Sequence, residues 1–568
     1  MRCDSLTRMW IFIRLAAAAA LLPLFPQPAS AAPVPDPTIT RATPAPEPAV
    51  VRAAQAAILE RAGLAPGPSA QESGVGAGVV AAGPRHTCAI VQFADLWCWG
   101  ANPDGRLGDG TTRSSAAPVR VSAKGGLAGT AGILNVQAGR AHTCALTLES
   151  AEAGLVAYCW GANDEGQLGD GSFDPRPRPA QVAAGVVQIV TGADHTCVLT
   201  VELTVSCWGR NNAGQLGAGT LGTSEANPQE VPGLTGVIDL AAGDDNTCAL
   251  DQTGKAWCWG AGSHGRLGDG GGVSADPSPV PVAVAGGPYG EISLGRRHAC
   301  ALGTGSAVYC WGADDHGQAG GRGDRDVPTR NGQRTYTGVR AGGDSTCGVT
   351  SAGEAFCWGA NGDGQLGTGD LADRARPAAI DRSRMRTSSL ARLLLGSGSP
   401  RVADLSVGAH GSCGVDVSMS VYCTRSGLLT AVPLAPGSVT GVRVAAQPGA
   451  LRVSWTAPEE TGADRIGAYV ALAFVGAGLD DSRSCTANPA LTCTIPGLAG
   501  GEQYTVLVAA VSRGGISYSA VAHGVPAGAG SGGGLPVTGP GPAAALGLVL
   551  LTLGWSLRRA SRSVGCRH

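Results

Sequence analysis

The sequence predicts an all-β chain: a repeated four-strand unit followed by a second, smaller β domain. Three observations carry this expectation. Glycine fills 89 of the 568 positions, about twice its usual share, and charged residues make up only 15%, a balance that favours turns and strands over long charged helices. Versions of one string, which at residues 241–270 reads AAGDDNTCALDQTGKAWCWGAGSHGRLGDG, recur along the chain until about residue 423. Beyond about residue 433 the pattern changes to a two-residue alternation of apolar and polar positions, the period of a strand with one buried face. A chain of this length exceeds what one core can hold, so several domains are expected. A formal net charge of -2 and a pI near 6.5 supply no electrostatic footprint for DNA, RNA or anionic lipid, and nucleic acid is not expected as a partner.

In chain order, Arg2, Arg8 and Arg14 accompany a Leu/Ala-rich run from Leu15 to Leu22, and Ala29-Ser30-Ala31 follows. That is the order of parts in a secretory signal peptide cut after Ala31. Pro23 and Pro26 interrupt an apolar run already too short for a retained span. Residues 1–31 are therefore read as a signal peptide. Residues 32–75, rich in Pro, Ala and Thr, are read as a linker or arm with one short helix expected around 50–61.

An exported chain keeps disulfides, so the 18 cysteines read first as a covalent framework. Fourteen form seven pairs: Cys88 with Cys98, Cys144 with Cys159, Cys197 with Cys207, Cys248 with Cys258, Cys300 with Cys310, Cys347 with Cys357, and Cys413 with Cys423. Six of the seven are ten residues apart, and Cys485 with Cys493 makes an eighth pair further on. Only Cys3 and Cys566 remain, both in segments expected to be removed.

The first cysteines of the seven pairs step along the chain by 56, 53, 51, 52, 47 and 66 residues. Periods near 50 imply stacked or radial supersecondary units that cannot bury their apolar faces alone. In each unit a segment such as Val187-Gln188-Ile189-Val190 gives a first strand, and the two cysteines mark the second and third. A Pro-x-x-Val such as Pro118 to Val121 gives a fourth. Four short strands per repeat are the make-up of a β-propeller blade. If Gln252-Thr253-Gly254 forms a three-residue hairpin loop with Gly254 left-handed, Cys248 and Cys258 fall opposite each other and close enough to bridge. The longer spacing from Cys144 to Cys159 is absorbed by residues 149–154 in the hairpin loop.

Other readings of these residues are weaker. Structural zinc takes cysteines two to four residues apart, a spacing none of these pairs has. His86, His142, His195 and His298 recur two residues before a cysteine, but Asn246, Ser345 and Gly411 hold the place in the other units. A structural histidine tying strand to loop fits that variation better than a base or a metal ligand. The loops Asn102-Pro103-Asp104-Gly105, Asn163-Asp164-Glu165-Gly166 and Asn361-Gly362-Asp363-Gly364 lack the spaced carboxylates of a calcium site. They read as Asx turns closed by glycine. The Trp-Gly pairs at Trp99, Trp160, Trp208, Trp259, Trp311 and Trp358 read as packing between neighbouring blades rather than as a sugar-binding surface, because every interface of a ring needs a similar bulky contact.

Gly192-x-x-His195-Thr196-Cys197-x-Leu199, continued by Cys207-Trp208-Gly209-x-Asn211-x-x-Gly214-Gln215-Leu216-Gly217-x-Gly219, closely resembles the repeat of the regulator of chromosome condensation family. The resemblance implies a seven-bladed β-propeller over residues 76–432. The seventh unit departs from the motif, reading Thr424-Arg425-Ser426 after Cys423 without the Trp-Gly or Gln-Leu-Gly. It is expected to close the ring with a strand from the N-terminal arm or from residues 428–432. The insertion from Ile380 to Pro400 lengthens the step before it.

Residues 433–527, with Val442-Arg443-Val444, Leu451 to Pro458, Tyr469 and Leu498-x-x-Gly501-x-x-Tyr504-Thr505-Val506-x-Val508, resemble a fibronectin type III β-sandwich. The resemblance implies Trp455 in the core, Tyr504 as a tyrosine corner and the Cys485 to Cys493 bond as a clamp on one loop. Residues 528–568 hold a Gly/Ala/Ser linker, Leu535-Pro536-Val537-Thr538-Gly539, an apolar run over 543–557 and Arg558-Arg559. This resembles the sorting signal of Gram-positive surface proteins, which implies cleavage after Thr538 by sortase and a covalent bond from Thr538 to peptidoglycan.

No nucleophile–base pair, phosphate loop or isolated carboxylate pair stands out, so no catalytic residue, metal or cofactor is expected. The chain reads as a cell-wall-anchored surface protein whose disulfide-stapled propeller binds or adheres to an unknown protein or glycan ligand. A second reading is an inhibitor of an extracellular enzyme such as a β-lactamase, which an aromatic cluster in the blade-connecting loops of one face would favour; Trp97, Trp257, Phe173 and Tyr289 are too scattered in sequence to show one. A third is an extracellular enzyme, which would need acidic or histidine side chains clustered near the axis. Exchange activity on a Ran-type GTPase is not carried over, because the exchange-factor residues cannot be matched and an exported chain would not meet a nuclear partner. The loops after Gly219 and Gly270, which vary between copies, are where the ligand is expected.

Overall fold

The computed structural model describes residues 80–527 apart from 92–94, 123–126, 128–131, 151–153, 384–401, 417–420, 426–427, 433, 476–482 and 513–514. The expected signal peptide, arm, short helix, sorting signal and apolar tail all lie outside the described residues.

Four-stranded antiparallel sheets occupy 80–120, 132–184, 186–230, 237–283, 289–335, 338–379 and 402–431, here called sheets 1 to 7. Sheet 4 shows the pattern: Val237–Ala242, Asn246–Asp251, Ala256–Gly260 and Ser278–Ala283 pair in sequence order. Its central hairpin turns through residues 252–254, with Asp251 N donating to Lys255 O and Gly254 at φ 80. Cys248 consequently faces Cys258.

The same opposition recurs in every sheet of the repeats. Cys88 faces and bonds Cys98 in sheet 1, Cys144 bonds Cys159 in sheet 2, and Cys197 bonds Cys207 in sheet 3. Sheet 4 carries the bond from Cys248 to Cys258. Cys300 bonds Cys310 in sheet 5, Cys347 bonds Cys357 in sheet 6, and Cys413 bonds Cys423 in sheet 7. Each pair has Cα atoms 4.0–4.1 Å apart. The fifteen-residue separation of Cys144 and Cys159 leaves this geometry unchanged, because the extra residues lengthen the two strands beyond the bond, with Ser150 paired to Gly154, rather than all lying in a longer hairpin loop. Sheet 7 is completed by Leu428–Ala431, the second of the two strands expected for it.

The repeated tryptophan sits where pairing between third and fourth strands slips. In sheet 3 the register shifts between Cys207 and Gly209, and Trp208 occupies the bulge. The glycine after each tryptophan has φ between 97 and 115, a conformation open to glycine and strained for other residues. The ring is thereby turned into the space before the preceding sheet. Trp160, Trp208, Trp259 and Trp311 are fully buried, and each indole Nε1–H donates to a carbonyl of that preceding sheet: Arg106, Gln167, Gln215 and Arg266, at 2.9–3.0 Å.

The apolar cores lie between sheets, not within them. One cluster joins Leu199 and Val205 of sheet 3 to Leu240 and Trp259 of sheet 4, another joins Leu250 of sheet 4 to Ile292 and Trp311 of sheet 5. The cluster of sheet 1 takes in Ile133 and Trp160 from sheet 2 and Val415 and Val421 from sheet 7. The ring therefore closes on itself, and no sheet buries its faces without both neighbours.

First strands stand side by side around the axis. Their open edges are satisfied by side chains from the neighbour: Gln188 Oε1 accepts from Leu240 N at 3.0 Å, Asp239 from Ile292 N at 3.2 Å and Ser293 from Ala341 N at 2.9 Å. Ser406 Oγ accepts from Ala82 N at 2.8 Å, which joins the last sheet to the first. This is how buried strand edges avoid unpaired backbone donors.

Residues 440–524 form a three-stranded and a five-stranded sheet around one core holding Leu451, Val453, Trp455, Tyr469, Val506 and Val508. Trp455 packs on Tyr469 with centroids 5.5 Å apart. The Tyr504 hydroxyl accepts from Ala499 N at 3.0 Å, tying the strand back to the preceding turn. Cys485 and Cys493 are bonded, but they lie in different sheets. The bond staples the two layers together and is not merely a clamp on one loop.

Candidate functional site on one charged face

Each first strand of the ring is followed directly by a glycine, and charged or titratable residues come next: Arg85, Arg140, Asp194, Asp244-Asp245, Arg296-Arg297, Asp344 and His410. The glycines must be glycines because the turns meet near the axis. A Cβ on Gly243 would stand 2.5 Å from Gly295 O, and one on Gly295 would stand 2.8 Å from Gly343 O. Backbone bonds run between the turns, from Arg140 N to Ala193 O, from Ala193 N to Asp244 O and from Arg296 N to Gly343 O. The charged residues are therefore held as a rigid set on one end of the ring.

Most of these charges are paired across sheets. Arg140 and Arg210 both reach Asp194, whose carboxylate is almost fully buried. Arg296 pairs with Asp344, and Arg297 pairs with Asp315 at 2.8 Å and Asp344 at 3.7 Å. His264 meets Asp324 at 2.7 Å, His316 meets Asp373 at 2.8 Å and His410 meets Asp363 at 2.8 Å. The bond to Asp373 holds the His316 imidazole above its ordinary pKa. Between sheets 4 and 5 the face opens into a cleft of about 320 Å³ lined by Asp244, Asp245, Arg266, Arg296 and Arg297. Burial, then the neighbouring Asp245, pushes Asp244 up to about 6.

Under this face the repeated histidines do not tie strand to loop within a unit, as the sequence suggested. They tie sheet to sheet. His86 Nε2 contacts Thr143 Oγ1 at 2.7 Å, His142 contacts Thr196 at 3.0 Å, His195 contacts Thr247 at 2.9 Å and His298 contacts Thr346 at 2.8 Å. Each threonine in turn donates to a loop carbonyl: Arg106, Gln167, Gln215 and Gln318. The hydroxyl has one proton, so the histidine must be the donor and carries its hydrogen on Nε2. Burial lowers His86 and His142 to about 3 and His195 and His298 to about 4, so all four are neutral.

The loops that looked like calcium fragments are closed by their own asparagines. Asn163 Oδ1 accepts from Leu168 N at 2.9 Å while its Nδ2 donates to Ser172 O at 2.8 Å, and Asn211 and Asn361 repeat the arrangement. Among the described residues no group of three or more His, Cys, Asp or Glu side chains is placed to hold a metal. Nor do the scattered aromatics gather in the fold: Trp97 and Tyr289 are buried, Trp257 lies under Lys255, and of these with Phe173 only Phe173 is well exposed, at 52%. Near the axis, Asp239 is pushed up to about 6 by burial, yet both its oxygens are used, one by Gln188 and one by Ile292 N. Glu291 is likewise committed to Arg340 and Val339 N.

The charged turns were not singled out in the sequence, although a glycine followed by charge in unit after unit was the available signal. The loops expected to bind do carry exposed apolar residues, Leu221 after Gly219 and Val273 after Gly270.

Comparison with known proteins agrees with this architecture. A family profile described as the RCC1-like domain matches residues 156–424, and one described as the regulator of chromosome condensation (RCC1) repeat matches 94–146. The chain is 30% identical over 250 residues to the ultraviolet-B receptor UVR8 of Arabidopsis thaliana, covering 43% of this chain and 54% of the receptor. It is also 30% identical over 250 residues to the E3 ubiquitin-protein ligase HERC2 of Homo sapiens, covering 42% of this chain and 5% of the ligase. The match thus spans about half of one relative and a small part of the other. Among solved structures, yeast RCC1 (Prp20) bound to Kap60 is similar at a TM-score of 0.50 and 22% identity, over 58% of this chain and 78% of that one. The four-stranded sheets of residues 80–431 thus have the architecture of propeller blades, and within them residues 94–146 and 156–424 are similar to the regulator of chromosome condensation repeat and the RCC1-like domain.

Proposed function

We propose that this chain is an exported binding protein, anchored to the cell wall through Thr538, that presents one face of a seven-bladed propeller on a fibronectin type III spacer. The observation that carries the reading is the charged face itself: arginines and aspartates from different blades are fixed by inter-blade ion pairs on turns whose backbones are bonded to one another. A rigid display of both charge signs is suited to electrostatic complementarity with a macromolecule, in which the fixed geometry reduces the ordering cost of binding. Disulfides in every blade and across the sandwich suit an oxidising compartment. The Leu535-Pro536-Val537-Thr538-Gly539 string and the basic end of the chain support anchoring.

The test displays the chain on cells and exposes it to arrays of wall polymers, matrix proteins and host-surface glycans. Binding that is lost in Arg140→Glu and at raised ionic strength supports the reading. Binding to none of them, or binding indifferent to the face charges, counts against it. Thr538→Ala should move the protein from the wall fraction into the medium, and retention in the wall would remove the anchoring step.

A further inference from the structure

Where sheets 2 and 3 meet, and again where sheets 3 and 4 meet, one loop carbonyl of the earlier sheet takes two bonds from the later one. Gln167 O accepts from Thr196 Oγ1 at 2.8 Å and from Trp208 Nε1 at 3.0 Å. Gln215 O accepts from Thr247 Oγ1 at 3.1 Å and from Trp259 Nε1 at 2.9 Å. Each threonine is held in turn by a histidine of the earlier sheet, His142 or His195. Between sheets 4 and 5 the tryptophan bond is kept, from Trp311 Nε1 to Arg266 O at 3.0 Å. The other two groups are replaced. Ala299 faces Trp311 as Thr247 faces Trp259, and Asn246 faces Gly260 as His195 faces Gly209.

Asparagine is shorter than histidine and alanine shorter than threonine, yet the sheets have not drawn together over the difference. A Cβ on Gly243 would stand 2.5 Å from Gly295 O, and one on Gly192 would stand the same 2.5 Å from Gly243 O, at a seam that keeps its histidine. The Asn246 carboxamide fills only the near part of the imidazole's place. Its Oδ1 would lie 2.6 Å from that Cβ on Gly243, much as His195 Nδ1 would lie 2.3 Å from the one on Gly192. Asn246 and Ala299 are fully buried, and among the described residues neither Oδ1 nor Nδ2 of Asn246 has a partner. In sheet 6, where Ser345 takes the histidine's place, the hydroxyl turns instead to Ala360 O at 2.8 Å. An enclosed space lined by unpaired donors and acceptors takes up water, whereas an apolar one stays dry. Immobilising a water costs less than leaving a buried amide unpaired.

We propose that the seam between sheets 4 and 5 is an internal water site. One molecule stands in for the threonine hydroxyl, accepting from Asn246 Nδ2 and donating to the lone pair of Arg266 O that Trp311 does not use. A second, in the place of the imidazole's far edge, donates to Asn246 Oδ1. The site is independent of what the charged face binds. Its consequence for that face is local: the turns that carry Asp244-Asp245 and Arg296-Arg297 are joined through exchangeable water at this seam, where His142 and His195 join theirs by a direct bond.

The first test is a crystal structure of the intact chain that shows ordered water. Density for an oxygen within about 2.7–3.2 Å of both Asn246 Nδ2 and Arg266 O is expected. No density there, or a protein group bonded directly to the Asn246 amide, overturns the proposal. The second is oxygen-17 magnetic relaxation dispersion in solution, which counts waters held inside the protein for longer than it takes to tumble. The double variant Asn246→His with Ala299→Thr restores both side chains of the bonded seams. Its dispersion amplitude should fall by about one or two waters relative to the unsubstituted chain, with a raised thermal midpoint. An equal amplitude in a folded double variant overturns the proposal. If that variant does not fold, the density in the unsubstituted chain decides alone.

Discussion

At the scale of the residue, the most informative group is the histidine–threonine–carbonyl chain. His142, Thr196 and Gln167 O are all buried, so deleting the hydroxyl strands both a donor and an acceptor. Thr196→Val should lower stability by about 1–3 kcal/mol, read as a lower urea midpoint at neutral pH with disulfides intact. The same histidines set an acid limit. Their folded pKa values, about 3 to 4, lie below the unfolded value near 6.5, so the unfolded chain binds more protons in that interval. Their contribution is complete above about pH 6.5 and is lost as pH falls toward 3. Asp239 and Asp244, raised to about 6, act in the opposite sense as pH falls from about 6 to 4 and offset part of the loss. Denaturant midpoints measured from pH 7.5 to 4 should therefore decline, and decline less in His142→Asn. An identical pH dependence in the variant would remove the histidines from the account.

At the scale of the element, each blade is a small sheet stapled by a bond between directly opposed cysteines and wedged by a tryptophan against its neighbour. Trp208→Phe keeps most of the packing but removes the 3.0 Å bond to Gln167 O, and should cost about 1 kcal/mol. Trp208→Ala empties a fully buried site and should cost about 3–5 kcal/mol. Similar thermal midpoints for the two variants would mean the ring is not a wedge. Replacing Cys248 and Cys258 together by serine opens a loop of about eleven residues and should cost somewhat under ~3 kcal/mol. The blade was legible in the sequence at this scale because hairpin pairing is local: a ten-residue spacing and one turn glycine fix which cysteines face each other. The histidine contacts were not legible, since their partners lie about 50 residues away and are chosen by the packing of whole sheets. The two-sheet placement of Cys485 and Cys493 was hidden for a related reason, because adjacent strands in sequence need not share a sheet.

At the scale of the whole molecule, repetition makes a ring in which departures stand out: the histidine–threonine bond joins four pairs of neighbouring sheets, and Asn246, Ser345 and Gly411 take the histidine's place in sheets 4, 6 and 7. The count of units and their order could be read from the cysteine steps, and the strand completing sheet 7 was narrowed to two choices. The face could not be read, because it is assembled from turns in seven separate stretches of chain that come together only when the ring closes. That Asn246, with neither amide atom bonded among the described residues, lies beside Gly243 at the seam toward sheet 5 is visible only with sheets 4 and 5 side by side. Hydrogen exchange on the intact chain, compared with the double variant Asn246→His with Ala299→Thr that rebuilds the bond between sheets 4 and 5, tests this claim most directly. The account predicts rapid exchange at residues 243–247 and 295–298 relative to the equivalent turns at the four seams that hold a histidine–threonine bond, and slowing there in the double variant. Equal exchange at this seam and at those four, or no slowing in the double variant, would contradict the account.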